Sequence, residues 1–166
     1  MADYTDDLIP TMTSNTAPSG VASADNELTG DYAAWKAMDD TNADALSWYA
    51  TGGFPHWVQY QFTSAKVIRR YTITSRNIEE PSMAHPIAWT FQGSNNGSDW
   101  TTLDTQTSQD FAQAEKKTYS FSNPNSYTYY RVTFSSGSHA SDVAVGELEM
   151  MEKVGVESGA FLLNFL

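Results

Sequence analysis

The sequence predicts an all-β fold, a β-sandwich or jelly roll, from two features that recur along the chain. Short segments of alternating apolar and polar residues begin at Trp57 and continue almost to the C-terminus, which is the pattern of strands with one buried face. Turn-forming residues separate these segments, as in Gly93-Ser94-Asn95-Asn96-Gly97, and many short strands with regular turns are typical of a sandwich. We expect a single domain, because 166 residues lie close to the usual domain size.

The two ends of the chain differ from the alternating region between them. Residues 1–19 contain Pro10 and Pro18, many Ser and Thr, and no sustained period, so we expect an extended N-terminal arm. The sandwich is predicted over residues 20–152. After it, residues 153–166 form an apolar tail that is too short to cross a bilayer, and an exposed apolar tail normally marks an interface.

A short helical turn and a long loop are predicted ahead of the first long strand. Trp35 and Met38 are three positions apart within residues 33–38, so they share one face of a helical turn. Residues 39–56 are rich in Asp, Asn and Gly, which favour turns and loops over regular elements.

Alternation identifies the strands of the sandwich. Val58, Tyr60 and Phe62 alternate with a second set of residues that would occupy the other face of a strand. Asn96-Gly97 favours a tight hairpin, because both residues tolerate the positive φ that such turns require. The segments predicted as strands are residues 57–62, 66–75, 87–93, 117–122, 129–135 and 143–151.

Composition and charge exclude several classes of partner. The chain has 9 basic and 20 acidic side chains and a net charge of −11, which argues against nucleic acid and anionic lipid as partners. No apolar run reaches the roughly 18 residues of a membrane span, so no membrane insertion is expected. The first seven residues lack the basic and apolar regions of a secretion signal. The absence of cysteine removes disulfides and thiol chemistry.

Motifs that define catalytic sites do not occur in the sequence. There is no Gly-x-Ser-x-Gly elbow, no His-Glu-x-x-His and no phosphate-binding glycine loop. The three histidines, His56, His85 and His139, are separated by long segments. We therefore expect a protein that binds a ligand and is not an enzyme.

Seven short segments are informative as an ordered set. Residues 34–39 and 47–49 come first, and Trp57-Val58-Gln59-Tyr60-Gln61-Phe62 follows them. The remaining segments are residues 71–77, 86–100, 129–132 and 145–149. Together they resemble the discoidin (coagulation factor C-type) domain of the galactose-binding-like superfamily, which also contains many bacterial carbohydrate-binding modules. The resemblance implies a jelly-roll β-sandwich that binds ligands, here glycans, through loops at one end.

The resemblance also implies a structural calcium ion beside the first long loop. Carried over by position, its ligands are the carbonyl oxygens of Lys36 and Gly146, the carboxylates of Asp39 and Glu147, and one loop oxygen from Thr41, Asn42, Asp44 or Ser47. Such an all-oxygen set is what calcium requires.

Two features depart from the family pattern at this calcium site. Asp40 stands where Gly is usual, and Trp48 lies nine positions after Asp39, which is a longer spacing than the family has. In the alternative interpretation, Asp39 caps a turn and Glu147 forms an ion pair with Arg131.

Sugar-binding sites of the family combine an aromatic platform with Arg, Asn or His, because a sugar ring has an apolar face and polar hydroxyl edges. The candidates in this chain are Arg76 and Asn77 after a strand, Tyr49 and His56 in the first long loop, and His139 and Asp142 in a late loop. The alternative for Arg76 is a surface ion pair with Glu79 or Glu80, which would contribute little. The five tryptophans are interpreted as core or structural side chains.

The flanking segments predict the setting of the domain. Residues 8–20 resemble the lead-in that precedes such domains in bacteriophage tail, fibre and capsid-surface proteins. With the apolar tail and no secretion signal, this predicts a virion protein that assembles in the host cytoplasm and adheres to glycans from the particle surface. We expect a homo-oligomer, or attachment to other virion subunits, through the tail. The alternative is a structural capsid decoration or fibre element without a sugar site.

Overall fold

The computed structural model describes residues 3–42 and 47–155, in which the chain forms ten β-strands and two short 3₁₀ helices. The strands are β1 (Val21–Ala24), β2 (Trp48–Ala50), β3 (His56–Lys66), β4 (Ile68–Thr74), β5 (Pro86–Ser94), β6 (Thr101–Gln106), β7 (Lys116–Ser120), β8 (Tyr127–Gly137), β9 (Val143–Val145) and β10 (Glu147–Glu152). The helix Ala34–Ala37 lies within the predicted helical turn, and Gly30–Tyr32 precedes it. No helix in these ranges has the length and apolar character needed to span a membrane.

The strands form three antiparallel sheets that make a β-sandwich, which confirms the predicted fold. The largest sheet has the order β1-β3-β8-β5-β6, a second has the order β10-β4-β7, and β2 pairs with β9. Aromatic side chains fill the space between the two larger sheets. Tyr71 of β4 stacks on Phe91 of β5 with ring centroids 4.3 Å apart, so these two residues join the sheets directly.

Buried hydrogen bonds fix this contact between the sheets. The indole nitrogen of Trp89 donates to the Tyr71 hydroxyl at 2.9 Å, and that hydroxyl donates to Asp104 Oδ2 at 2.8 Å. Burial raises the pKa of Tyr71 far above its ordinary value, so the phenol stays protonated and keeps its donor role. The polar atoms of the aromatic core are thereby paired, as buried polar groups must be.

Side chains in the long strands alternate as the sequence predicts. Val58, Tyr60 and Phe62 of β3 are buried, and the residues between them are half-buried on the opposite face. β8 shows the same pattern, and its Val132 lies opposite Val58 in the neighbouring strand. The two strands therefore present one continuous apolar surface to the core.

The predicted strand over residues 143–151 is divided at Gly146. β9 before this residue pairs with β2, whereas β10 after it pairs with β4. Residues 143–148 are all buried, so the sequence has no alternation that would mark the division. The Gly146 amide donates to the carbonyl oxygen of Thr74 at 2.8 Å, which holds this junction against the end of β4.

Three strands were not among those predicted. β1 and β2 contain 4 and 3 residues, which is too short for alternation to be recognised. β6 lies at the edge of the large sheet, and Leu103 is its one large apolar residue. An edge strand of this polar composition is one way in which sheets avoid pairing with other chains.

The N-terminal segment, which the sequence predicts as an extended arm, is extended and packs against the sandwich. Ile9 and Met12 are 3% and 1% exposed and belong to the core. Asp7 Oδ1 accepts hydrogen bonds from the amides of Ile9 and Met150, which ties the segment to β10. Burial raises the pKa of Asp7 to about 7. In the predicted C-terminal tail, residues 156–166 lie outside the described residues.

Candidate functional site

Five polar or aromatic side chains meet on loops at one end of the sandwich. One 3₁₀ helix supplies Tyr32, β2 supplies Tyr49, and Arg76 follows the end of β4. His139 and Asp142 come from the loop between β8 and β9. We call these five residues the rim cluster. Four different elements or loops of a rigid scaffold supply these five residues, which is how binding residues are often presented.

Arg76 forms the buried centre of the rim cluster. Arg76 is only 3% exposed to solvent. Its guanidinium carbon lies 5.1 Å from the ring centroid of Tyr49 and 5.6 Å from that of Tyr32. Arg76 also donates to the carbonyl oxygen of Ser82. Burial lowers the pKa of Arg76, while both tyrosines act in the opposite direction. The alternative of a surface ion pair with Glu79 or Glu80 does not describe this residue, because Arg76 is buried. A buried cation held against two aromatic rings orders them.

The two tyrosines and Asp142 form a connected polar arrangement. The rings of Tyr32 and Tyr49 meet edge to face with centroids 5.8 Å apart. The Tyr49 hydroxyl donates to Asp142 Oδ2 at 3.1 Å, and His139 Nδ1 lies 2.9 Å from the same oxygen. Burial, and then the charge of Asp142, raise the pKa of Tyr49 to about 12, so it remains a neutral phenol. His139, with a side chain 44% exposed, is the most accessible titratable group of the cluster.

Two further predicted site residues lie outside this arrangement. His56 is 3% exposed, its Nδ1 lies 2.8 Å from Asp25 Oδ2, and its Nε2 lies 3.3 Å from the Ser141 carbonyl oxygen. It therefore joins two loops beneath the rim, because both ring nitrogens already face partners within the protein. Asn77 is exposed, and its side-chain oxygen accepts a hydrogen bond from Gln113.

Sequence reasoning missed Tyr32 and Asp25. Tyr32 ends a helix of three residues, which is too short for a periodic signal. Asp25 follows the short strand β1 and binds His56 and the Trp57 amide across the fold. Spacing along the chain predicts neither the contact of Tyr32 with Tyr49 nor that of Asp25 with His56, because the partners are far apart in sequence.

A second group of residues surrounds the junction at Gly146. This junction lies at the end of β4 that Arg76 follows. Glu147 is 5% exposed, and neither of its carboxylate oxygens has a hydrogen-bond partner among the described residues. The same holds for Asn42 Oδ1 and Ser47 Oγ. Of the other predicted calcium ligands, Asp39 has one carboxylate oxygen 3.6 Å from Lys36 Nζ. Its other oxygen accepts a hydrogen bond from the Thr41 amide at 3.2 Å, so Asp39 caps a turn as in the alternative interpretation. Asp44 lies outside the described residues.

The carboxylates at the junction are buried close to one another, so their charged forms are unfavourable when no cation is bound. Burial, followed by the charges of Asp39 and Asp40, raises the pKa of Glu147 to about 9. Burial also raises the pKa of Asp39. Asp40 has a φ of 56°, the left-handed conformation that explains why glycine suits this position. Buried oxygens without donors are costly, and a cation would reverse that cost.

The alternative pairing of Glu147 with Arg131 is not observed. The Arg131 guanidinium lies 3.9 Å from the Trp100 ring centroid and donates to the side chain of Gln92. Across the described ranges, no three His, Asp or Glu side chains group as a metal site. A cation would therefore combine two carboxylates with the amide, hydroxyl and carbonyl oxygens of the junction, a donor set that fits calcium.

The sandwich, with its polar groups gathered on loops at one end, defines a galactose-binding-like domain. The chain belongs to the F5/8 type C domain family, whose sequence model matches residues 19–148. The comparison with curated proteins gave no match.

Solved structures share the fold at low sequence identity. The family 32 carbohydrate-binding module of Clostridium perfringens NanJ, in complex with galactose, has 20% identity and a TM-score of 0.68 over 80% of this chain and 93% of its own. Chitosan-binding module 2 from a Paenibacillus sp. IK-5 chitosanase/glucanase, in complex with chitotriose, has 22% identity and a TM-score of 0.66 over 82% and 96%. CpGH89CBM32-5 from Clostridium perfringens, in complex with GalNAc-beta-1,3-galactose, has 15% identity and a TM-score of 0.68 over 79% and 94%.

Replacing Gly146 by alanine should destabilise the domain by about 1–3 kcal/mol. A Cβ at this position would lie 2.5 Å from Asn42 Oδ1 and 2.8 Å from the Ser75 carbonyl oxygen, so the junction must shift. Gly30→Ala is the control, because nothing lies within 4 Å of its Cβ. Urea unfolding with a chelator present measures both variants without a contribution from bound cations. Equal midpoints for the two variants would contradict the tight packing at Gly146.

Proposed function

We propose that this domain binds saccharides at the rim cluster and catalyses no reaction on them. The observation that carries the proposal is the buried Arg76 with two tyrosine rings ordered around it. Asp142 and His139 then add an acceptor and an accessible imidazole beside Tyr49. An aromatic surface next to directed polar groups matches the apolar face and the hydroxyl edges of a sugar ring.

Similarity to sugar-binding modules supports this proposal. Solved relatives of the same fold contain galactose and chitotriose, so the scaffold supports saccharide binding in other proteins. A neutral hexose such as galactose is the first ligand to test. Non-catalytic binding is consistent with the sequence, which has no motif for nucleophilic or metal-assisted hydrolysis.

We also propose that the Gly146 junction holds a structural calcium ion. Glu147, Asn42 and Ser47 supply buried side-chain oxygens that have no partners in the described structure. Asp39 would complete the acidic part of the site, and the backbone oxygens of Lys36 and Gly146 would be further ligands. A divalent cation supplies positive charge where the buried carboxylates would otherwise repel each other.

The proposed setting is the surface of a bacteriophage particle, where many copies would give weak sites a combined avidity. The resemblance of residues 8–20 to phage lead-in segments supports this setting.

Removing the accessible groups of the rim cluster should weaken galactose binding. We expect His139→Ala and Asp142→Asn each to lower the affinity by about fivefold to tenfold, because each change removes a directed polar contact. Ser98→Ala, in the exposed β5–β6 hairpin, is the control. Calorimetric titration measures all three variants. Affinities equal to that of the unaltered protein, or no saturable binding, would remove the rim cluster as the sugar site.

Chelating calcium with EGTA should lower the Tm by about 5 °C, because a ligand that binds only the folded state stabilises it. Glu147→Gln should make the Tm insensitive to EGTA, since it removes the buried carboxylate that the ion requires. Differential scanning calorimetry with and without added calcium measures both effects. A Tm of the unaltered protein that does not respond to EGTA would reject the site.

A further inference from the structure

A groove lies at the end of the sandwich opposite the rim. It consists of two adjoining cavities of about 460 and 280 Å³ that share Arg69 and Lys153. Arg69 and Arg76 stand at opposite ends of β4, so the groove is roughly 20 Å from the rim cluster. The lining of the larger cavity is Tyr4, Arg69, Ser120, Phe121, Ser122 and Lys153.

Contacts with neighbouring residues hold the side chains that line the groove in fixed positions. The guanidinium of Arg69 is oriented by a hydrogen bond from Nε to the Asn123 carbonyl oxygen at 2.8 Å. The Tyr4 ring lies 3.5 Å from the guanidinium carbon of Arg70, whose Nε donates to Ser120 Oγ. Arg70 therefore holds the Tyr4 ring in place, and Tyr4 and Phe121 line the same cavity as the oriented cation Arg69.

Charge distinguishes this groove from the rest of the acidic chain. Arg69, Arg70 and Lys153 form no ion pair with any carboxylate of the described residues, whereas Lys36, Lys116 and Lys117 each do. Glu152 lines the smaller cavity, where its carboxylate accepts a hydrogen bond from the Val67 amide. An anionic group would therefore be placed in the larger cavity, away from Glu152.

We propose that this groove binds a short carboxylated saccharide that contains a single hexuronate unit. The ligand carboxylate would face Arg69 and Lys153, with the sugar ring against Tyr4 and Phe121. Ser120 and Ser122 offer hydroxyls to the ring, and a guanidinium binds a carboxylate through two parallel hydrogen bonds. The smaller cavity leaves room for an adjoining, uncharged unit. This site is separate from the proposed rim site and selects a different class of sugar.

Polyanions fit the groove less well than a single carboxylate does. Long-range repulsion from a chain of net charge −11 opposes nucleic acids and anionic membranes, which require broad basic surfaces. A single carboxylate needs only the local cations. The aromatic walls would contribute nothing to a small inorganic anion, but they match the face of a sugar ring.

The test is an NMR titration of the full chain with a disaccharide of one galacturonate and one galactose unit, and with the neutral galactose disaccharide. The acidic sugar should shift the backbone amides of Arg69, Ser120, Phe121 and Lys153 saturably, and the neutral sugar should leave them unchanged. Arg69→Gln should weaken binding about tenfold, and Lys153→Gln about threefold, because each removes a charged donor. Lys116→Gln, at the other end of the same sheet, is the control and should leave binding unchanged.

Three results would overturn the proposal. They are no saturable shift with the acidic sugar, equal shifts with both disaccharides, and acetate competing at the same concentration as the sugar. His139→Ala distinguishes this proposal from the rim proposal, because it should weaken neutral sugar binding while leaving uronate binding intact. Loss of uronate binding in His139→Ala would place the acidic sugar at the rim and reject the groove.

Discussion

The structure depends on how the chain buries the junction between β9 and β10. Gly146 fits there only because it lacks a side chain, and Glu147 is buried immediately after it. Asn42 crosses the junction and donates to the Ser75 carbonyl oxygen at 2.8 Å. The same few residues therefore hold the first long loop, the start of β10 and the end of β4 together.

This junction determines where the rim cluster lies. Arg76 directly follows Ser75, so the contact from Asn42 to Ser75 holds the backbone from which the Arg76 side chain reaches Tyr32 and Tyr49. A cation bound to the junction oxygens would stabilise the loops without touching the ligand. The proposed calcium ion would thus support the rim by holding its base. The sheets beneath it are fixed separately, by the stack of Tyr71 on Phe91.

Parts of the fold with a clear local pattern could be predicted from the sequence. Alternation identified β3 and β8, and Asn96-Gly97 predicted a turn after β5, in which only Gly97 has a positive φ; the strand β6 beyond that turn was not predicted. The division at Gly146 could not be predicted, because every residue around it is buried. Likewise, spacing gives no warning that His56 is buried between Asp25 and Ser141.

The two proposed binding regions differ in how much the sequence shows of them. Tyr49, Arg76 and His139 were recognisable as rim candidates, because polar and aromatic residues in loops of such a sandwich often bind ligands. The groove brings together the N-terminal segment, β4, the end of β7 and the end of β10. Its cationic character emerges only when these distant segments meet, against the background of a strongly acidic chain.

Saccharide recognition by the loops is tested most directly by mapping galactose onto the protein. In an NMR titration of the calcium-loaded protein, we predict saturable shifts at the backbone amides of Tyr32, Tyr49 and His139. The opposite end of the sandwich, including Arg69, should not respond to this neutral sugar. A spectrum that stays unchanged at the rim, or shifts confined to residues far from it, would contradict the account.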